Sequence, residues 1–215
     1  MNIFKIVSAG VVVASYVVAF ALYAKMPELM AGHWDARGVV NGTIPRFWGV
    51  YLMPFIATAM YALFLFIPKL DPMKQNIEKF RQHYDGFIAF LMVFIFYLYG
   101  LTLAWNLGYR FDMVLMMVPA FAVLFYDVGI LVSKSEPNWF IGIRTPWTLS
   151  SPRVWKETHE LGGRLFKAAA VISLVGLAFH DYAFWFMIVP VTVVGLYTVV
   201  FSYFSFQREK KSQRG

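Results

Sequence analysis

Apolar runs long enough to cross a bilayer recur along the chain, separated by short polar connections rich in Lys, Arg, Gly and Pro. Residues 6–24, 47–68, 86–109, 113–133, 164–180 and 182–206 each read as a membrane span, since a span needs about 20 predominantly apolar residues. The first run, Ile6 to Ala24, competes with a secretory signal peptide because Lys5 precedes it. It exceeds the roughly 7–15 residues of a signal's apolar core, and Leu22 is a poor residue just before a cleavage point at Ala24. It is therefore read as the first helix. In the fifth run only residues 168–179 are free of charge and histidine, so Arg164 and Lys167 must snorkel or face protein. The expected fold is all-α, a polytopic bundle of six transmembrane helices forming one domain over residues 1–207. A basic cytoplasmic tail, expected to be disordered, follows at 208–215.

The connections carry a second pattern. Met73, Ile77, Phe80, Tyr84 and Phe87 fall at helical spacing opposite Lys74, Gln75, Glu78, Arg81 and Gln82. That predicts a short basic amphipathic helix on the membrane surface, started by Asp71-Pro72 and feeding the third span. Ser151-Pro152 marks another helix start: serine accepts a bond from an orphan N–H, and proline at the first position gives up a donor that had no partner. Trp155 and His159 then share one face of this second amphipathic helix. The two connections are alike, but the likeness is too short to establish an internal repeat. Residues 25–46 are rich in turn chemistry, with Asp35 and Gly38, and Asn41-Gly42, as tight-turn pairs. Gly108-Tyr109-Arg110 and His180-Asp181 read as further turns, and Asn106 as a polar group at a helix end.

Composition agrees with a membrane protein: 60% of the 215 residues are hydrophobic and 14% charged, against about 25% charged in soluble domains. The net charge of +7 belongs to connections and tail, which points to anionic membrane lipid and not to direct nucleic-acid binding. With six spans, 15 of the 19 lysines and arginines lie on the side of the termini. By the positive-inside rule that side, with the 134–163 connection, is expected in the cytoplasm, and the His33 loop outside. The chain has no cysteine, so disulfides, thiolate metal sites and cysteine nucleophiles are excluded.

Candidate chemistry is sparse. Asp127 is the one acid deep in a span; such a residue is costly and so a functional candidate, yet its closeness to Lys134 leaves a structural role equally open. His33 and Asp35 are two metal-ligand types where at least a third is needed. No phosphate loop, HExxH or GxSxG occurs, and neighbours such as His159 and Glu160 point apart on a helix. No catalytic residue, metal or cofactor is expected. A transporter, or a membrane-embedded enzyme acting on a lipid or small amphipathic substrate, is the alternative reading; a transporter would show broken helices or more midplane charge.

The connection from Asn138 to Gly163, NWFIGIRTPWTLSSPRVWKETHELGG, has the most specific composition. Its tryptophans and Arg144 suit either interface anchoring or an anionic or amphipathic ligand. Arg144 is expected to make a bidentate or stacked contact with Trp139, Trp147 or a nearby carboxylate. The run resembles the signature of the SdpI family of integral membrane proteins, and Met-Pro, His-Trp-Asp-x-x-Gly and Asn-Gly in the first loop resemble a short domain that accompanies it. The resemblance implies six spans and immunity to a secreted peptide toxin, with the toxin sensed outside and a transcriptional repressor held inside. It carries over Asn138, Gly142, Arg144, Thr145, Pro146, Trp147, Thr148, Trp155 and His159 in the inner motif, and His33, Trp34, Asp35 and Gly38 in the outer one, as ligand-binding or structural positions. The ligand and the oligomeric state are not legible.

Overall fold

A computed structural model describes residues 2–213, so Arg214 and Gly215 of the expected tail lie outside the described residues. Helix α1 (Ile3–Leu22) leads into a two-stranded antiparallel hairpin, β1 (Leu29–Trp34) and β2 (Val40–Pro45). Helices α2 (Arg46–Leu70), α3 (Lys74–Lys79), α4 (Arg81–Asn106) and α5 (Met113–Lys134) follow, then α6 (Pro146–Ser150), α7 (Pro152–Val175) and α8 (Ala183–Ser212). Among the described residues six helices, α1, α2, α4, α5, α7 and α8, are long and apolar enough to cross a membrane. The architecture is a six-span helical bundle with short additional helices, and among the described residues the hairpin is its one departure from all-α.

The helix starts follow local chemistry. Asp112 accepts the Leu115 N–H at 2.9 Å to begin α5, and Ser151 accepts the Val154 N–H at 3.2 Å to begin α7 with Pro152 in its first turn. Each such cap contributes about 0.5–2 kcal/mol. Asp71-Pro72 does not start a helix in the same way: Asp71 holds the Met73 N–H at 2.6 Å in a turn, and α3 begins only at Lys74.

The bundle divides into two groups of three. Helices α1, α2 and α4 enclose a core that includes Ile88, Met92 and Ile95, with a second cluster of Ala19, Met30, Val50, Tyr99 and Leu103. Helices α5, α7 and α8 enclose Val118, Ala170 and Met187. The groups meet along α4 and α5, where Phe94 and Phe121 pack edge to face with centroids 5.0 Å apart. Helices α5 and α7 approach most closely. A Cβ on Gly129 would sit 2.7 Å from the Gly163 carbonyl oxygen, and one on Gly163 would sit 2.6 Å from the Ser133 Cβ. In a bilayer, where lipid tails are as apolar as leucine, such small-residue contact is what drives helices together. Val193, Leu196, Val200 and Phe204 of α8 point away from protein, as lipid-facing residues do.

Several local expectations change. The stripe from Met73 to Phe87 does not lie on the bilayer: Ile77, Phe80 and Tyr84 are buried in the first core, and Tyr84 Oη donates to the Phe64 carbonyl at 2.6 Å. The stripe is divided between α3, which ends at Lys79, and α4, which begins at Arg81. The second amphipathic helix and the fifth span are one element, because α7 runs unbroken through Gly162-Gly163. Helix α8 continues to Ser212, so most of the tail expected to be disordered is helical. Asn41-Gly42 lies inside β2; the hairpin turns at Asp35–Val39 instead.

Candidate functional site

The connection between α5 and α7 is held from three sides. From the first helix group, Asp71 Oδ2 accepts the Trp139 N–H at 2.9 Å, and Asn76 Nδ2 donates to the Pro137 carbonyl at 2.8 Å. From α7, Trp155 Nε1 donates to the Ser135 carbonyl at 2.9 Å, and His159 Nε2 accepts the Ile143 N–H at 2.9 Å. From α8, the Ser202 hydroxyl lies 3.0 Å from the Thr145 hydroxyl. The side chain of Ile141 completes the clamp by joining the first core beside Ile77 and Leu131. One loop thus ties together both helix groups on the side of the termini.

Within the loop most polar side chains are spent on the backbone. Asn138 is fully buried; its amide donates to the Glu136 and Ile141 carbonyls at 2.8 and 2.9 Å, and its oxygen accepts the Phe140 and Ile141 N–H groups at 2.9 and 2.6 Å. Leucine or alanine there would strand several buried backbone groups, at about 1–3 kcal/mol each. Thr145 and Thr148 form a reciprocal capping box around α6, with Pro146 in the first helical position. Thr148 Oγ1 also donates to the Ile143 carbonyl at 2.8 Å. Gly142 has φ of +110°, a left-handed conformation that glycine tolerates, and a Cβ there would fall on His159 Nε2. The Trp155 and His159 rings stack with centroids 4.0 Å apart. Trp147 leans edge-on against Tyr203 of α8, centroids 5.2 Å apart.

Arg144 departs from expectation. It is exposed, and its guanidinium donates to the Trp139 carbonyl. Among the described residues it has no ion pair and no ring beneath it, so the expected bidentate or stacked contact is replaced by one bond to a carbonyl. The loop turns back at Gly142, which puts the Trp139 carbonyl, not a carboxylate, within its reach. Beside the loop opens a cleft of about 350 Å³ whose lining includes Lys134, Glu136, Trp155, Lys156, His159 and Glu160.

The outer motif builds the hairpin. Asp35 Oδ1 accepts the Arg37 and Val39 N–H groups at 2.8 and 3.0 Å, and these bonds, Val39 first, hold its carboxyl below the ordinary carboxylate range. Gly38 takes a φ of +74° to close the turn. His33 Nδ1 lies 2.5 Å from Asn41 Oδ1, and Trp34 packs edge-on against Trp105, centroids 5.7 Å apart. No group of three or more potential metal ligands occurs among the described residues.

Asn106 is more than a helix-end group. Its side chain accepts the Ala31 N–H at 2.8 Å and donates to the Ala31 carbonyl at 3.0 Å, pairing with β1 as a neighbouring strand would. Asp85, which no motif or periodicity marks in the sequence, is buried at the start of α4, where Arg81 Nε donates to it at 2.9 Å and Asn2 Nδ2 at 3.0 Å. Asp71, Asp85, Asn106 and Ser202 share one property: each has a partner far away in the chain. Asp127 stands apart from both motifs. It is half-buried on α5, with Oδ2 enclosed and no hydrogen-bond partner among the described residues.

Known proteins share both motifs. Residues 134–203 match the SdpI/YfhL protein family, and residues 10–58 match a domain of unknown function, DUF1648. The chain is 21% identical over 208 residues to the Immunity protein SdpI of Bacillus subtilis (strain 168), covering 95% of this chain and 96% of the relative. No solved structure matches. The two signatures and the end-to-end similarity are consistent with membership of the SdpI family.

Proposed function

We propose that this chain, carrying the SdpI/YfhL and DUF1648 signatures, confers immunity to a secreted peptide toxin or senses it. In this reading the peptide is met at the hairpin side and a regulator, a transcriptional repressor, at the side of the 134–163 connection. The observation that carries it is the extent of the similarity to the Immunity protein SdpI: 95% of this chain and 96% of the relative. That range spans the hairpin, the clamped loop and all six long helices, not one shared module.

The geometry supports a binding role in preference to a catalytic one. His159, the buried histidine of the loop, has Nδ1 and Nε2 both engaged by backbone groups, which leaves neither free for acid–base work. A loop fixed from three sides, with Trp139, Phe140 and Leu149 exposed beside it, presents a surface of constant shape to a partner. The excess of lysine and arginine on this side supports its placement in the cytoplasm.

The test is survival. A sensitive bacterium making this chain is challenged with the secreted killing peptide of an SdpI-type system, and survival is expected to exceed that of cells carrying an empty vector. Equal survival at matched membrane expression overturns immunity. For orientation, a reporter active only in the cytoplasm should work when inserted at residues 135–137 and fail at 39–43. The reverse pattern would put the hairpin inside.

A further inference from the structure

Between α7 and α8, on the side of the termini, lies a second cleft of about 370 Å³, which shares Glu160 with the cleft beside the clamped loop. Its lining includes Arg153, Glu157, Leu161, Arg164, Phe201 and Arg208. On α7, residues 153, 157, 161 and 164 recur at helical spacing along one face; on α8, Phe201 and Arg208 lie two turns apart and complete the opposite wall. The far end is closed by a relay in which Arg153 Nε donates to Glu157 Oε1 at 2.9 Å and the Ser205 hydroxyl donates to Glu157 Oε2 at 2.6 Å. That relay engages both Glu157 oxygens, and Arg208 lies near enough to feel the Glu157 charge without forming an ion pair with it. Arg164 and Arg208 have no ion pair among the described residues, and Glu160, which also lines the cleft, is within 4.0 Å of neither. The Arg208 guanidinium lies 5.7 Å from the centroid of the Phe201 ring.

Depth matters here. Counted back from Val175, a helix needs about 20 residues to cross the hydrocarbon, which puts Arg164 within that depth and not beyond it. An arginine at this level is costly unless something anionic meets it. Lys167, one turn further in, is turned toward α5, with its ammonium 5.4 Å from the centroid of the Tyr126 ring. Arg164 opens instead into the cleft, next to Leu161 and Phe201.

We propose that this cleft binds the phosphate of an anionic phospholipid between the guanidinium groups of Arg164 and Arg208, with an acyl chain lying over Leu161 and Phe201. Guanidinium supplies the planar fork that matches phosphate oxygens. The neighbouring apolar wall fits a phosphate joined to a hydrocarbon better than a free anion. The lipid would satisfy an arginine that has no ion pair among the described residues and would fill the gap between two helices otherwise joined there by the Glu157–Ser205 bond.

The test uses the purified full chain in a neutral detergent, titrated with phosphatidylglycerol, phosphatidylcholine or inorganic phosphate while bound lipid is counted by native mass spectrometry. Phosphatidylglycerol should bind more tightly than phosphatidylcholine, and Arg164→Gln with Arg208→Gln should weaken it about tenfold or more, as loss of charge-assisted bonds does. Arg110→Gln, on the opposite side of the membrane, serves as the matched control and should bind as the unaltered chain does. Equal binding of both lipids, equal binding by the double variant, or full displacement by phosphate without lipid would each overturn the proposal. A second measurement needs no variant: phosphatidylglycerol with a photoreactive acyl chain should label the unaltered protein around Leu161 and Phe201, and labelling confined to other helices would refute the site.

Discussion

Ile143 and His159, sixteen residues apart, are joined by a 2.9 Å bond from the loop N–H to the ring Nε2. The other ring nitrogen, Nδ1, lies 2.7 Å from the Trp155 carbonyl. A carbonyl only accepts, so Nδ1 carries the proton and Nε2 is left as the acceptor. The histidine is thus held neutral in one tautomer by two backbone groups, one on its own helix and one on the loop. It acts as a latch on the left-handed turn at Gly142.

The latch is testable at the glycine. Gly142→Ala combines a left-handed backbone with a Cβ placed on the imidazole, so it should destabilise the protein by at least about 1–3 kcal/mol. His159→Ala should cost a similar amount, but the double variant should cost less than the sum, because the clash and the bond share one ring. Denaturation of the four proteins in the same detergent reads this directly. Strict additivity would mean that the two residues are not coupled.

Asn106 should matter through a single strand residue. Asn106→Leu keeps the volume but abandons the Ala31 N–H and carbonyl, with an expected loss of about 1–3 kcal/mol. Amide exchange at Ala31 should accelerate in Asn106→Leu and stay slower in Asn106→Asp, which retains the acceptor. Identical exchange in both variants would show that β1 is held by β2 alone.

Asp35 gives the hairpin a defined response to acid. Its carboxyl is held below the ordinary range by the Val39 and Arg37 N–H groups. A lowered value means the contribution to the turn is complete above the ordinary carboxylate range and is lost as the pH falls through the lowered value. The Arg37 and Val39 amide resonances should therefore stay constant from neutral pH through the ordinary carboxylate range and shift only below it. In Asp35→Asn that transition should disappear. A midpoint at or above the ordinary value would contradict the geometry.

Asp127 separates charge from fold. Its enclosed Oδ2 has no partner to lose, so Asp127→Asn should leave stability unchanged or raise it, since an unpaired buried charge is the costlier state. If Asp127 is functional, survival under toxin challenge falls sharply while expression holds; if its role is structural only, survival is unchanged. Full protection by the asparagine variant would remove Asp127 from the functional residues.

The sequence made the six long helices and the Ser151-Pro152 start legible because both depend on near neighbours: apolar runs declare themselves, and a cap reaches three residues. The two motifs were legible as unusual composition. What stayed hidden was long range. Asp71 reaches Trp139 across 68 positions, Asn106 reaches Ala31 across 75, and Asn2 reaches Asp85 across 83. No periodicity announces such pairs. The amphipathic stripe at Met73–Phe87 was real, but a stripe tells only that one face is buried, and here protein covers it instead of lipid. Asn41-Gly42 has turn chemistry, yet the bonds closing Asp35–Val39 fix the register and draw it into the strand.

Arg144 is where reading the residue and reading its surroundings diverge. Between tryptophans and near carboxylates, an arginine suggests the planar fork that lysine cannot imitate. In the fold it is exposed and donates to the Trp139 carbonyl, a contact that a single ammonium N–H can also make. Arg144→Lys should therefore keep the stability of the unaltered chain, and Arg144→Ala should lose no more than about 0.5–1.5 kcal/mol, the net worth of one ordinary hydrogen bond. If the residue only fixes the loop, protection against the toxin follows the same order, with lysine restoring it. Denaturation and survival measured side by side on both variants decide the matter. A lysine variant that folds normally but fails to protect would show that the guanidinium meets something outside the chain, and the exposed face of the 134–163 connection would then be the place to look for the partner.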